Sequence, residues 1–184
     1  MTRLTTVDLA QAQGETRQLL EGVERQLGSV PNSFRTMAVA PPVLKGYLQF
    51  AAALGAGKLS ARVRELIALA VGEANSCDYC LSAHTYVGRS LLRIDDAALA
   101  GAREHTSTDG HEAAALQFAH RLVQTRGGVT SADLDAVRSA GWSDAEIAEI
   151  IGNVAINVLT NYFNKAADVD VDFPLVQHGA AEAA

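Results

Sequence analysis

The stretch that decides the fold is RELIALAVGEANSCDYCLSAHT, residues 64 to 85. Its first half sets Leu66, Ile67, Ala70 and Val71, with Leu59 and Val63 ahead of them, on a 3.6-residue repeat, which predicts a helix. Its second half places Cys77, Cys80 and His84 within eight positions of a chain that has no other cysteine. A single helical register through these three uses spacings of three and four and projects them from one face. Asn75, Ser76 and Asp78 are equally good N-cap residues, so a helix can instead begin beside Cys77, with unpaired N–H groups and the positive dipole end next to the thiols. Either arrangement favours thiolate.

Outward from this stretch the apolar spacing stays helical. Leu19, Leu20, Val23 and Leu27 form one stripe. Pro42 suits the first turn of a helix carrying Val43, Leu44, Tyr47, Leu48, Ala51 and Leu54, closed by Gly55 and Gly57. Asp95 or Asp96 caps a short segment to about Arg103, and HEAAALQFAHRLVQ (111–124) is an amphipathic run ended by Gly127 and Gly128. Ser131 opens a shorter helix that Gly141 stops. Ser143 and Glu146 make a capping box for a long helix through Ile147, Ile150, Ile151, Val154 and Val158 to about Ala166. VDVDF (169–173) alternates, but it is short, charged and next to Pro174, so it reads as an extended tail. The expected fold class is all-α, one domain over residues 1–184, with the thiol motif at 65–84 and a tail from about 168. The closing GAAEAA is low in complexity.

At 184 residues and 48% hydrophobic, the chain can bury one sizeable core. A net charge of −6 without a basic run argues against nucleic acid and anionic membrane surfaces as partners. No stretch approaches the ~20 apolar residues of a membrane span, and the N-terminus lacks a signal-type apolar core. The expected location is therefore the cytoplasm. There a permanent disulfide is disfavoured, and a CxxC pair points to catalysis or metal binding.

Thiolate chemistry gains much from a modest pKa change. A thiol with pKa ~8.5 is about 3% ionised at pH 7, and one lowered to ~6.5 is about three-quarters ionised. A histidine one turn after Cys80 can take its proton directly or through water. Zinc is the competing reading, but structural sites want four ligands, and there is no second CxxC or HxxxH. His105, His111, His120 and His178 are scattered singly and read as surface or core residues. An inert buried pair is the third reading.

RELIALAVGEANSCDYCLSAHT resembles the core motif of the carboxymuconolactone decarboxylase and alkylhydroperoxidase D (AhpD) superfamily, in its peroxidase-related branch. VPNSFRTMAVAPPVLKGY (30–47) and LTNYFNKAADVDVDFP (159–174) extend the resemblance to about residues 25–175. It implies an AhpD-like helical bundle, assembled as a homo-oligomer, trimer or hexamer. The implied activity is that of a thiol-dependent (alkyl hydro)peroxidase whose CxxC pair cycles through a redox disulfide. An external protein or lipoyl dithiol would re-reduce it, with no bound organic cofactor and no metal. By position Cys80 resembles the peroxidatic cysteine, Cys77 its proton donor and resolving partner, and His84 the motif's final histidine. Glu65, twelve residues before the first cysteine, matches the relay glutamate.

Tyr79 departs from the family pattern, which often has histidine there. Tyrosine is not a neutral-pH base, so the relay would rest on His84 and Glu65. Decarboxylase members lack the redox pair, which argues against lactone decarboxylation. A general thiol-disulfide oxidoreductase and a non-catalytic redox sensor remain as alternatives.

Glu73 rivals Glu65 because 73, 77, 80 and 84 share a face if the helix is unbroken, but Gly72 and Asn75 favour an interruption, and Glu65 is preferred. Asn153, Asn157, Asn161 and Asn164 stripe the last helix and are assigned to an interface or a neighbouring helix in preference to the active site. Met37, Phe34 and Tyr47 could shape a substrate entrance, and core packing is the preferred reading. Trp142 packs between a helix stop and a helix start. Tyr86 receives no role.

Overall fold

The computed structural model describes residues 2 to 179, so the closing GAAEAA lies, after Gly179, outside the described residues. The helices are α1 (Gly14–Leu27), α2 (Asn32–Met37), α3 (Pro41–Gly55), α4 (Ala61–Ala74), α5 (Asp78–Tyr86), α6 (Asp96–Arg103), α7 (Gly110–Thr125), α8 (Ser131–Ser139) and α9 (Asp144–Ala167), and a π-helical turn, Val87–Leu91, follows α5. No strand forms among the described residues, and 169–173 is extended tail, as its charge and proline predict. Helices α4 to α9 begin where side chains satisfy free N–H groups, whereas α1, α2 and α3 have no side-chain cap. Ser60 accepts from Val63 N, Asp95 from Ala98 N, and Asp109 from His111 N and Glu112 N. Ser143 and Glu146 form the expected capping box, and Thr130 with Asp133 forms a second one ahead of Ser131.

α4 is the axis of the molecule. It packs against α5, α6, α7 and α9, and every residue from Leu66 to Gly72 is buried. A helix apolar on all sides is stable only when surrounded, and its fully buried leucines contribute about 1.5–3 kcal/mol each. The main core joins Leu66, Ile67, Leu69 and Val71 to Leu99, Leu116, Phe118 and Ile150. Trp142 is buried in it, stacks on His111 and donates Nε1–H to His111 O at 2.9 Å. A second cluster of Leu20, Met37 and Leu44 fixes α1, α2 and α3 as a layer over the thiol motif. Three stripe residues end at the surface instead: Leu27, Val43 and Ile151 are exposed, and of α3 only Leu44 is fully buried.

The tail runs back over α5. Val176 N donates to Ser82 Oγ at 2.9 Å, His178 N to Asp78 Oδ1 at 2.8 Å, and Gly179 N to Glu73 Oε1 at 2.6 Å. Phe173 meets Tyr79 edge-on at 5.9 Å and Tyr86 at 5.7 Å, so Tyr86, which the sequence left without a role, helps seat the tail.

Candidate active site

The helical register is broken between Glu73 and Cys77. α4 ends at Ala74, and Ser76 takes a left-handed φ of 53°. Cys77 N donates to Gly72 O at 2.9 Å, a helix-closing bond that turns the chain before α5. Of the two arrangements open in the sequence, the one with a helix beginning beside Cys77 is found. The cap is Cys77 itself and not Asn75, Ser76 or Asp78: its Sγ accepts from Cys80 N at 3.4 Å. The two sulfurs are joined as a disulfide, and both residues are buried.

Cys80 lines a cavity of about 210 Å³, and Cys77 does not. The aromatic walls are Phe34, Tyr47, Tyr79 and Phe173; the polar ones are Ser33, Glu65, His84, Thr160 and Asn164. Phe34 and Tyr47 pack against the second cluster, as the core reading expects, and also face the site, while Met37 is core alone. A second cavity of about 200 Å³, with Arg64, Asn153 and Asn157, shares Tyr47, Glu65 and His84 with the first. The glutamate and histidine thus form a partition between two spaces.

Within that partition His84 Nδ1 lies 2.8 Å from Glu65 Oε1. Burial by itself would lower the imidazole pKa, but the charge of Glu65 and its hydrogen bond outweigh this and raise it above the usual 6.5. With Nδ1–H directed to the carboxylate, a neutral His84 keeps Nε2 as its acceptor nitrogen. Glu73 faces elsewhere. Arg103 Nε donates to Glu73 Oε2 at 2.8 Å, and Arg103 also bonds Gln177 O at 2.9 Å, so Glu73 fastens α4 to α6 and the tail.

Tyr79 is held at both faces of its hydroxyl. It donates to Asp172 Oδ1 at 2.9 Å and accepts from Ser33 N at 3.1 Å. Burial, then the neighbouring Asp172 carboxylate, push its phenol far above the ordinary 10, so it stays a neutral donor. Tyr47 is pushed up to about 12 by burial and by Glu65.

The asparagine stripe divides. Asn153 and Asn157 donate back to Glu149 O and Asn153 O in their own helix, and Asn161 accepts from Asn75 beside the motif. Asn164 corrects the expectation: it belongs to the site, donating Nδ2–H to Cys80 Sγ at 3.4 Å. Ser33 Oγ donates to Asn164 Oδ1 at 2.7 Å. Ser33 and Asp172 were not singled out from sequence, although both sit inside the two segments that extend the resemblance; only the folded layer of α2 and the tail brings them to α5.

Among the described residues no group of three or more histidine, cysteine, aspartate or glutamate side chains could hold a metal ion. His178 pairs with Asp78 at 2.7 Å, and His105 stacks on His120 at 3.7 Å. No helix among the described residues is long and apolar enough to cross a membrane.

Residues 41–121, which span α3 to α7 and the whole thiol motif, match the model of the carboxymuconolactone decarboxylase family. Among solved structures, the alkylhydroperoxidase AhpD core of an uncharacterized peroxidase-related protein from Ralstonia eutropha JMP134 superposes with a TM-score of 0.83 at 27% identity, over 93% of this chain and 92% of that one. A peroxidase-related protein from Silicibacter sp. TM1040 gives 0.80 at 26% identity, over 98% and 96%. The debrominase Bmp8, in complex with 2,3,4-tribromopyrrole, shares the fold with a TM-score of 0.79 at 23% identity, over 94% and 92%. A comparison with curated proteins finds no match.

Proposed function

We propose that this chain, which belongs to the carboxymuconolactone decarboxylase family and has its AhpD-like all-α fold, is a thiol-dependent peroxidase acting on organic hydroperoxides. The observation that carries this reading is the convergence of one sulfur, one imidazole and one carboxylate on a single cavity: Cys80 and the bonded pair His84 and Glu65. A buried CxxC disulfide one turn from a carboxylate-held histidine supports a redox cycle better than a structural staple.

In the reduced protein His84 takes the Cys80 proton, directly or through a water, and the imidazolium is stabilised by Glu65. The thiolate attacks the distal peroxide oxygen. The S–O bond forms as the O–O bond breaks, and the leaving alkoxide takes a proton from the Cys77 thiol to become the alcohol. The Cys77 sulfur then displaces hydroxide from the Cys80 sulfenic acid, which leaves as water with a proton from imidazolium, and closes the disulfide. An external dithiol, on a protein or a lipoyl group, restores both thiols by exchange. The working unit is a homo-oligomer, trimer or hexamer; the exposed Ile151, Leu159 and Tyr162 on α9 are consistent with burial between copies.

Steady-state reduction of an organic hydroperoxide with a dithiol reductant tests the reading: turnover that depends on both cysteines supports it, and none with either organic or hydrogen peroxide rejects it. One observation favours a second reading, a redox sensor. The tail is bonded to Asp78, Tyr79 and Ser82 of the motif helix, so a change at the disulfide would reach it. Size-exclusion chromatography of reduced and oxidised protein separates the two, since a change of assembly without peroxide turnover belongs to a sensor.

A further inference from the structure

The Cys80 sulfur has a hydrogen-bond donor that the scheme above does not use. Asn164, on the last turn of α9, is 5% exposed and aims Nδ2 at Cys80 Sγ, 3.4 Å away across 84 positions of sequence. A disulfide sulfur carries no hydrogen and can only accept, so the amide must present its nitrogen to the sulfur and its oxygen to the other side. There the hydroxyl of Ser33, itself 6% exposed, donates to Oδ1 at 2.7 Å, and Ser33 N–H is in turn tied to the Tyr79 hydroxyl. Both ends of the amide are therefore fixed in one orientation, with α2 and α9 gripping α5 between them.

We propose that Asn164 is a catalytic residue whose amide N–H stabilises the Cys80 thiolate, and that Ser33 is the positioning residue that fixes the amide's direction. The inference rests on Cys80 being the reacting thiol. On reduction the neutral sulfur acceptor becomes an anion at a buried position, 2% exposed, where hydrogen bonds to charged groups are shorter and about twice as strong. Hydrogen-bonding to the charged form lowers a pKa. The titratable groups on the same cavity are Glu65 on α4, Tyr79 and His84 on α5, and Tyr47 on α3. Of these His84 supplies proton transfer, while Glu65 disfavours an anion nearby. Asn164 offsets that carboxylate without itself titrating, so it lowers the thiol pKa at every pH.

The test reads the thiol and needs no peroxide. In a Cys77→Ser background Cys80 is the only thiol of the chain, and its alkylation rate by iodoacetamide from pH 4 to 10 gives its pKa. Asn164→Ala raises that midpoint by about one to two pH units, the equivalent of a hydrogen bond to a charged group, and from a midpoint near ~6.5 slows alkylation at pH 7 by about three- to 25-fold. Ser33→Ala moves it the same way by less. An unchanged midpoint in folded Asn164→Ala overturns the proposal even if peroxide turnover falls. Should Asn164→Ala lose its native circular dichroism, Ser33→Ala decides, and an unchanged midpoint there also overturns it. A wild-type protein inert to peroxide, with the midpoint still moved by Asn164→Ala, would reject the peroxidase reading and leave this inference standing.

Discussion

The carboxylate of Glu65 and the imidazole of His84 meet at 2.8 Å although one belongs to the buried central helix and the other to the helix that carries the cysteines. α4 and α5 pack so closely that a Cβ added at Gly72 would lie 3.4 Å from Leu81 and 3.7 Å from Cys80, so this contact is set by the core and not by a loop. Positioning by rigid helices is what a proton relay needs, since small displacements cost large factors in rate.

Glu65→Gln keeps the shape and removes the charge. Turnover falls by about 10- to 100-fold at neutral pH, consistent with general acid–base contributions, while Glu73→Gln changes it less than about threefold. The reverse order in hydroperoxide assays would reject the relay assignment. Because Glu65 raises the His84 pKa, its contribution to stability is complete below the unfolded value of about 6.5 and is lost as pH rises through the higher folded value. Thermal melts of wild type and Glu65→Gln should therefore differ more at pH 6 than at pH 9.

Tyr79→Phe removes a hydroxyl that answers both Asp172 and the buried Ser33 N–H. The loss leaves a buried donor unpaired and costs about 1–3 kcal/mol in denaturant unfolding. The phenol is held neutral, so no limb of the pH–rate profile should disappear. A vanished alkaline limb would show that Tyr79 is a titrating participant.

His105 is lowered to about 4, first by burial and then by the stacked His120. Between pH 6.5 and 4 the unfolded chain binds the proton and the folded one does not, so stability is lost as pH falls through that window. His105 also has a φ of 60°, a conformation asparagine tolerates. His105→Asn should flatten the acid side of a stability–pH curve between pH 6.5 and 4; an unchanged slope would place the acid sensitivity elsewhere.

Most of the helices were legible in the sequence from their apolar spacing and end signals: Asp95 and the Ser143–Glu146 box start helices where side-chain oxygens are available for free N–H groups, whereas the short α2, which has no side-chain cap, was not read. The break after Ala74 was signalled by Gly72 and Asn75, but the choice of Cys77 as cap was not, because sulfur is a weak acceptor and ranks below the neighbouring oxygens. Cys77, Cys80 and His84 are local and were found by spacing. Glu65 was reached through the family resemblance, and its contact with His84 depends on how α4 and α5 pack. Asn164 shows the limit of pattern reading. An amide stripe at i, i+4 gives no hint of which member meets a partner; Asn153 and Asn157 turn back on their own helix, while Asn164 reaches the sulfur only because α9 crosses the motif at its last turn. Ser33 and Asp172 arrive from opposite ends of the chain, as nothing local announces.

The central claim is that Cys80 is oxidised by hydroperoxide and Cys77 resolves it. Reduced wild-type, Cys77→Ser and Cys80→Ser proteins are each given one equivalent of an organic hydroperoxide at neutral pH, and free thiols are counted with time. The account predicts rapid loss of both wild-type thiols, arrest of Cys77→Ser as a trappable sulfenic acid, and near-inertness of Cys80→Ser. Wild-type thiols that survive for hours, or a Cys80→Ser variant that reacts as fast as wild type, would contradict it.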